Sequence, residues 1–271
     1  KVLGIYCHQS FTFDRSILSY FERLDYLISS TTATTFIDKE YCKKKKIKII
    51  SLENDKKYLK EITPTAEHVF GLILNISRKY QKAIDSVHKG YFDRSNFGGY
   101  RMLSKCTLGI IGFGRLGRIV SRIAKGFKMQ VLSVDKTDQS FNSKLKKILK
   151  ISDFISLNIP YKNNHNFFSY NNIKITRPFF LINTSRGEVV NENFIIKMLK
   201  KKKILGYATD VLKEEFKKKF ELKKSIIWKN RNKLNILITP HIGGSTEYAW
   251  FSTQKRVIDK FLKECKKKKI I

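Results

Sequence analysis

Three polar side chains stand out for their company: Arg186, Glu215 and His241. Arg186 closes the run Leu181-Ile182-Asn183-Thr184-Ser185 and precedes Gly187. A guanidinium fixed there can grip a carboxylate with two parallel hydrogen bonds. Glu215 closes the segment that begins at Asp210, and His241 lies between Pro240 and Ile242-Gly243-Gly244. A carboxylate paired with an imidazole favours the protonated ring and gives an acid–base catalyst working near neutral pH. Each residue alone has a plainer reading: Arg186 as a surface or salt-bridge residue, Glu215 as a solvated side chain, His241 as a structural histidine. Their order and setting argue otherwise, since each follows a strand-like apolar run. His8, His68, His88 and His165 have no comparable setting.

A further segment, residues 107–135, reads TLGIIGFGRLGRIVSRIAKGFKMQVLSVD. Leu108 to Ile111 predicts a buried strand running into Gly112-x-Gly114-x-x-Gly117, which opens a helix; a second strand, Val131 to Val134, ends on Asp135. Gly112 permits a tight turn, Gly114 lets backbone N–H groups approach a pyrophosphate, and Gly117 allows close helix–strand packing. Asp135 lies 18 residues after Gly117, where a carboxylate can accept bonds from ribose hydroxyls. The glycine triplet alone is weak, but with both strands, the helix and the acid it implies a bound dinucleotide. Asp135 favours NAD over NADP because a carboxylate repels the 2′-phosphate; the adjacent Lys136 softens that preference.

These residues need a sheet to hold them. Strands are expected at 107–112, 131–134, 154–157, 179–182, 205–209 and 235–238, with helices at 115–126, 142–150 and 192–202 among others. Such alternation predicts a doubly wound parallel sheet with ligands at the carboxyl ends of its strands. Upstream, short elements at Val2–Tyr6, Asp14–Phe21, Tyr26–Ser29, from Asp38, and Ile47–Ile50 predict a small α/β unit. A long helix over 65–80, capped by Thr65, has an apolar surface wide enough to want burial between domains or subunits. Gly90–Tyr100 reads as a linking loop, and Thr246–Lys263 as a helix returning to the first domain. The expected division is residues 1–62 with 246–271 as a discontinuous substrate domain and 63–245 as the dinucleotide domain.

The 55 Lys and Arg against 23 Asp and Glu leave a net charge of +32. The excess sits in lysine runs (43–46, 200–203, 217–219 and 266–269) without aromatic interleaving, which predicts a solvated surface rather than a specific nucleic-acid site. No apolar run is long enough to cross a membrane and no signal-peptide pattern is present. The four cysteines are scattered without a CxxC pair, so neither a metal site nor a disulfide framework is expected and a cytoplasmic setting is the simplest reading. The chain opens on Lys1 at an apparent strand, so a preceding segment is expected.

With GIIGFGRLGRIV, SDFISLNIP, LINTSRGEVVNE, the Asp210 to Glu215 segment and ITPHIGGSTE in order, the chain resembles the D-isomer-specific 2-hydroxyacid dehydrogenases. The phosphoglycerate dehydrogenase-like branch is the nearest in pattern. The likeness runs from about Leu24 to Phe261, with 24 residues from Arg186 to Asp210 and five more to Glu215. It implies two Rossmann-like domains, the smaller flavodoxin-like and lacking its first strand and helix. It also implies NAD-dependent interconversion of a D-2-hydroxy acid and a 2-keto acid. An NAD-sensing regulator of the same fold is the alternative.

By this resemblance Arg186 would bind the substrate carboxylate and carbonyl, His241 would exchange the proton, and Glu215 would hold His241. Backbone amides of Arg115 and Leu116 would meet the pyrophosphate. Ile159 and Pro160 would wall the adenine pocket, with Asn158 beside them in place of a usual histidine. Asp210 would bond the nicotinamide carboxamide, and Thr184 with Gly243 would line that site. Thr32 and Ala33 match a normally glycine-rich loop whose amides hold the substrate carboxylate. Lys128 replaces a usual helix-end glycine, and the WKNRNK segment is expected to hold extra length as a loop. A homodimer through the helix over 65–80 is implied as well.

Overall fold

The protein is described here by a computed structural model covering residues 2–8, 11–217 and 219–269. The chain divides into two compact units, residues 1–62 with 245–271, and residues 63–244.

The first unit contains β1 (Gly4–Tyr6), α1 (Arg15–Leu18), β2 (Tyr26–Ile28), α2 (Lys39–Lys44), β3 (Lys48–Ile50) and α3 (Lys56–Leu59), completed by the C-terminal helix Glu247–Lys267. Its three strands are parallel, in the order β1-β2-β3. Central β2 is buried on both faces, and its alternation sorts the packing. Leu27 joins Cys7, Leu18, Leu24, Ile37 and Cys42. Tyr26 and Ile28 pack instead with Ile50, Leu52, Leu59, Val257 and Phe261. The helix expected over Asp14–Phe21 shortens to the single turn Arg15–Leu18, capped at its start by the Asp14 carboxylate, which accepts from Ile17 N.

The second unit carries the larger sheet. Its elements are α4 (Pro64–Arg78), α5 (Tyr80–His88), β4 (Thr107–Ile111), α6 (Arg115–Gly126), β5 (Gln130–Val134), α7 (Phe141–Ile151), β6 (Phe154–Leu157), β7 (Phe179–Asn183), α8 (Glu192–Lys200), β8 (Ile204–Thr209), α9 (Ile226–Asn230) and β9 (Ile236–Ile238). All six strands are parallel in the order β5-β4-β6-β7-β8-β9. The order reverses between β4 and β6, the switch point where such sheets open a crevice at their carboxyl ends. Both faces are covered, which is why the strands are apolar without polar alternation. Phe180 and Ile182 pack with residues of α4 and α6, whereas Phe179 and Leu181 pack with α7 and α8.

Four expectations change here. Thr63, not Thr65, precedes the first turn of α4, because Pro64 takes the opening position where its missing N–H costs nothing. The helix does not run to residue 80: Lys79 adopts a left-handed conformation (φ 54°) and separates α4 from α5. The wide apolar face of α4 is filled within its own unit, since Ala66, Val69, Phe70, Leu72, Ile73 and Ile76 all join the core. The segment Trp228–Lys233 is not wholly loop: Trp228 to Asn230 belong to α9, and Arg231 lies over the Trp228 ring at 3.7 Å. Lys128 is left-handed (φ 57°) just past α6, the conformation that favours glycine there. Among the described residues no helix is long and apolar enough to cross a membrane.

Candidate active site

The cofactor end of the crevice begins where β4 turns into α6. Gly112 has φ +95°, and a Cβ there would lie 2.5 Å from the Asn158 carbonyl oxygen. A Cβ on Gly117 would overlap the Gly112 carbonyl, so the helix can sit this close only with glycine. Gly114 is different: a Cβ would meet no protein atom within 4 Å, so the room in front of it belongs to solvent or a ligand. Arg115 and Leu116 are the first two residues of α6, whose amides an anion at a helix N-terminus meets. Asp135 follows β5 directly, and its carboxylate accepts from the Phe113 amide inside the loop at 2.8 Å. Asn158 and Thr184 follow the paired ends of β6 and β7. Asn158 Oδ1 and Thr184 Oγ1 are buried without a hydrogen-bond partner among the described residues. Unpaired polar atoms of this kind want a ligand. These features fit a dinucleotide.

Arg186, Glu215 and His241 follow the next strand ends. Asn183 closes β7, and its side chain accepts from Ser185 N (3.1 Å) and donates to Arg186 O (3.0 Å), shaping the turn that presents Arg186. The Arg186 guanidinium donates to Ser185 O at 2.7 Å and makes no ion pair among the described residues. A Cβ on Gly187 would overlap backbone atoms of Leu212 and Lys213, so this turn and the segment after β8 approach only through a glycine. Glu215 accepts from Leu212 N at 3.0 Å on one oxygen and bonds His241 Nδ1 at 2.7 Å on the other. A carboxylate only accepts, so Nδ1 carries a proton and Nε2 is left to exchange one. Phe216 lies beside the imidazole, ring centres 5.3 Å apart.

His241 has φ +55°, a conformation that needs outside support. Asp210, at the end of β8, supplies it. Its backbone carbonyl accepts from His241 N at 2.9 Å. Its carboxylate accepts from Ile242 N (2.9 Å), Gly243 N (2.7 Å) and the Thr239 hydroxyl (2.5 Å). His68 in α4 completes the cluster, with Nε2 at 3.0 Å from Thr239 Oγ1 and 3.4 Å from Asp210 Oδ1. Burial works to raise the Asp210 pKa, but the bonds from His68, Thr239, Gly243 and Ile242 outweigh it and hold the carboxyl below its ordinary value.

A sequence model described as D-isomer specific 2-hydroxyacid dehydrogenase, NAD binding domain, matches residues 70–243. The chain belongs to the D-isomer-specific 2-hydroxyacid dehydrogenase family. Among curated relatives, a glyoxylate reductase of Thermococcus litoralis is 35% identical over 205 residues, covering 68% of this chain and 58% of the relative. A D-3-phosphoglycerate dehydrogenase of Haemophilus influenzae is 33% identical over 206 residues, covering 73% of this chain and 49% of the relative. A crystal structure of Aquifex aeolicus D-lactate dehydrogenase, complexed with NAD and lactic acid, superposes with a TM-score of 0.76 at 28% identity, covering 97% of this chain and 83% of that one. The chain thus spans about half the length of these curated relatives, and the first of the relatives are named glyoxylate reductases.

Within this family fold, the second unit gathers the expected residues into two groups: Gly112, Gly114, Gly117 and Asp135 around the loop after β4, and Glu215, Asp210, Gly243 and His241 after β8 and β9. Ile159 packs where a Gly112 side chain would fall, and Pro160 is exposed, its carbonyl accepting from Asn164. Thr32 and Ala33 belong to the first unit, in the loop after β2 that Thr31 ties to Ala33 O at 2.9 Å. His68 corrects the sequence reading: it has a setting, but its partner Thr239 lies 171 residues away. Gly187 was legible only as a neighbour of Arg186.

Proposed function

We propose that the chain is an NAD-dependent reductase that converts a small 2-keto acid, with glyoxylate as first choice, to the corresponding D-2-hydroxy acid, and runs the reverse oxidation. The observation that carries this reading is the 2.7 Å bond between His241 Nδ1 and Glu215, beyond the carboxyl ends of the same parallel sheet as the glycine loop. A bound nicotinamide supplies the hydride in reduction and receives it in oxidation. Arg186, with most of its donors uncommitted among the described residues, holds the substrate carboxylate and polarises the carbonyl. His241 Nε2 gives a proton to the oxygen as the C–H bond forms, and takes it back in reverse. Glu215 keeps the ring oriented through its bond to Nδ1.

Thr32 and Ala33, in the first unit, offer backbone donors suited to a carboxylate. Asp135 holds the adenosine ribose and selects NAD over NADP. Ile159 and Pro160 wall the adenine site with Asn158 beside them, while Arg115 and Leu116 cradle the pyrophosphate. Thr184, Gly243 and the less crowded oxygen of Asp210 serve the nicotinamide end. In this account residues 63–244 are the NAD domain and the first unit is the substrate domain. The four free, buried thiols suit a cytoplasmic setting.

Dimerisation, for which α4 offers no open apolar face, has a better candidate in α5. Tyr80, Ile84 and Val87 share its exposed face at helical spacing, and no α5 residue is buried. We assign this face to a second copy, since one amphipathic helix can pair with its symmetry mate.

The test is NADH oxidation against glyoxylate, pyruvate, hydroxypyruvate and phosphohydroxypyruvate, with Arg186→Ala as control. Turnover that the control abolishes supports the reading. A preference for the phosphorylated acid would favour the phosphoglycerate dehydrogenase-like branch. NADH binding without turnover would favour the NAD-sensing regulator.

A further inference from the structure

The turn that carries His241 is held by Asp210 and Thr239, and both of these are touched by a side chain outside every recognised motif. We infer that His68 is a positioning residue for His241, donating its Nε2–H to the Thr239–Asp210 pair that fixes the turn. The inference rests on the dehydrogenase reading of His241 and deepens it.

Proton bookkeeping supports the assignment. The Thr239 hydroxyl has one hydrogen, and at 2.5 Å from Asp210 Oδ1 that hydrogen goes to the carboxylate, which can only accept. Thr239 Oγ1 therefore receives its 3.0 Å bond from His68, so His68 must be protonated on Nε2. The same proton lies 171 residues from Thr239 in sequence but faces Asp210 Oδ1 as well, at 3.4 Å from the nitrogen. From Asp210 and Thr239 the hold passes to the catalytic turn by four backbone bonds. His241 N reaches Asp210 O (2.9 Å) and Thr239 O (3.0 Å), Ile242 N reaches Oδ1 (2.9 Å), and Gly243 N reaches Oδ2 (2.7 Å). His68 itself stands on α4, next to fully buried Val69 and one turn before buried Leu72. The left-handed His241 is thereby braced against a helix of the core, the kind of rigid support an acid–base group needs.

The test uses the whole chain with His68→Leu and His68→Gln, in steady-state NADH oxidation with glyoxylate and in 15N imidazole NMR without ligand. Wild-type His68 should read as the Nε2–H tautomer. His68→Leu should lower kcat about tenfold, the loss expected for one buried hydrogen bond to the site, with KM for the keto acid and Kd for NADH within about twofold. It should also move or broaden the His241 imidazole signals. His68→Gln, which retains a donor, should recover most of kcat and restore those signals. A His68 protonated on Nδ1 alone, unchanged His241 signals in His68→Leu, or a His68→Gln no better than His68→Leu would overturn the inference. A wild type that turns over no acid would refute the dehydrogenase reading, and the NMR arms would still decide His68.

Discussion

Replacing Asp210 by asparagine keeps shape and removes charge, which makes Asp210→Asn a sharp probe of the site. Four donors face the carboxylate: Ile242 N, the Thr239 hydroxyl and, at 3.4 Å, His68 Nε2 on Oδ1, and Gly243 N on Oδ2. An amide offers one oxygen and one NH2, so in either orientation one backbone N–H, of Gly243 or Ile242, faces another donor. Losing one buried hydrogen bond to a charged group costs about 1.5–3 kcal/mol, and the bonds that remain, now to a neutral oxygen, weaken to roughly half. A loss of about 3 kcal/mol in unfolding free energy at pH 7 is expected, together with reduced turnover as the His241 turn loosens. The pH dependence has a definite sign. Asp210 titrates below its ordinary 3.8 in the folded chain. Its contribution is therefore fully present above that value and disappears as pH falls through the lower folded pKa. The gap between wild type and Asp210→Asn, measured by urea unfolding of both at pH 7 and at steps down to pH 3, should close in acid. Equal stability at pH 7, or a gap that widens in acid, would refute this account of the cluster.

Other substitutions separate packing from binding. Gly114→Ala should leave the melting temperature nearly unchanged, because its Cβ meets no protein atom within 4 Å, yet raise the NADH dissociation constant at least about tenfold by fluorescence titration. Gly187→Ala should push apart the Arg186 turn and the Leu212–Lys213 backbone, costing about 1–3 kcal/mol of stability. Because Leu212 N holds Glu215, a shift of about 1 Å should also cut turnover about 100-fold in the same NADH assay. Burial pushes the Cys7 thiol up to about 12, so iodoacetamide at pH 8 should label Cys7 only after unfolding, as read by peptide mass. Ile84→Glu should convert a dimer to a monomer in light scattering without lowering the melting temperature of the monomer, since Ile84 is exposed.

The larger sheet was legible in sequence because its strands are buried on both faces. Runs such as Phe179–Asn183 leave no polar alternation to confuse with a helix. The boundaries of α6 were legible too, since Gly114 and Lys128 mark its ends and Gly117 its close contact with the strand. The proposed catalytic trio, Arg186, Glu215 and His241, was readable by its place after strands. Glu215 needed the fold to distinguish it from its charged neighbours, and only the turn after β8 lifts it out of solvent and onto His241. Three things were hidden for physical reasons. The break at Lys79 depends on a left-handed residue whose type does not announce it, so the expected helix ran past the break to residue 80 and α5 went unread. The apolar face of α4 said that it would be buried, not against what. His68 looked isolated because its hydrogen-bond partners are distant in sequence and meet it only when β8 and β9 lie beside α4.

The most direct test of the central claim is a paired measurement on wild type and His241→Asn: NADH binding, and NADH oxidation with glyoxylate. The account predicts that both bind NADH within about threefold, while turnover in the variant falls by about 100-fold to 10,000-fold, the range of a lost general acid. Undiminished turnover in His241→Asn would contradict it, as would a wild type that binds NADH and reduces none of the 2-keto acids.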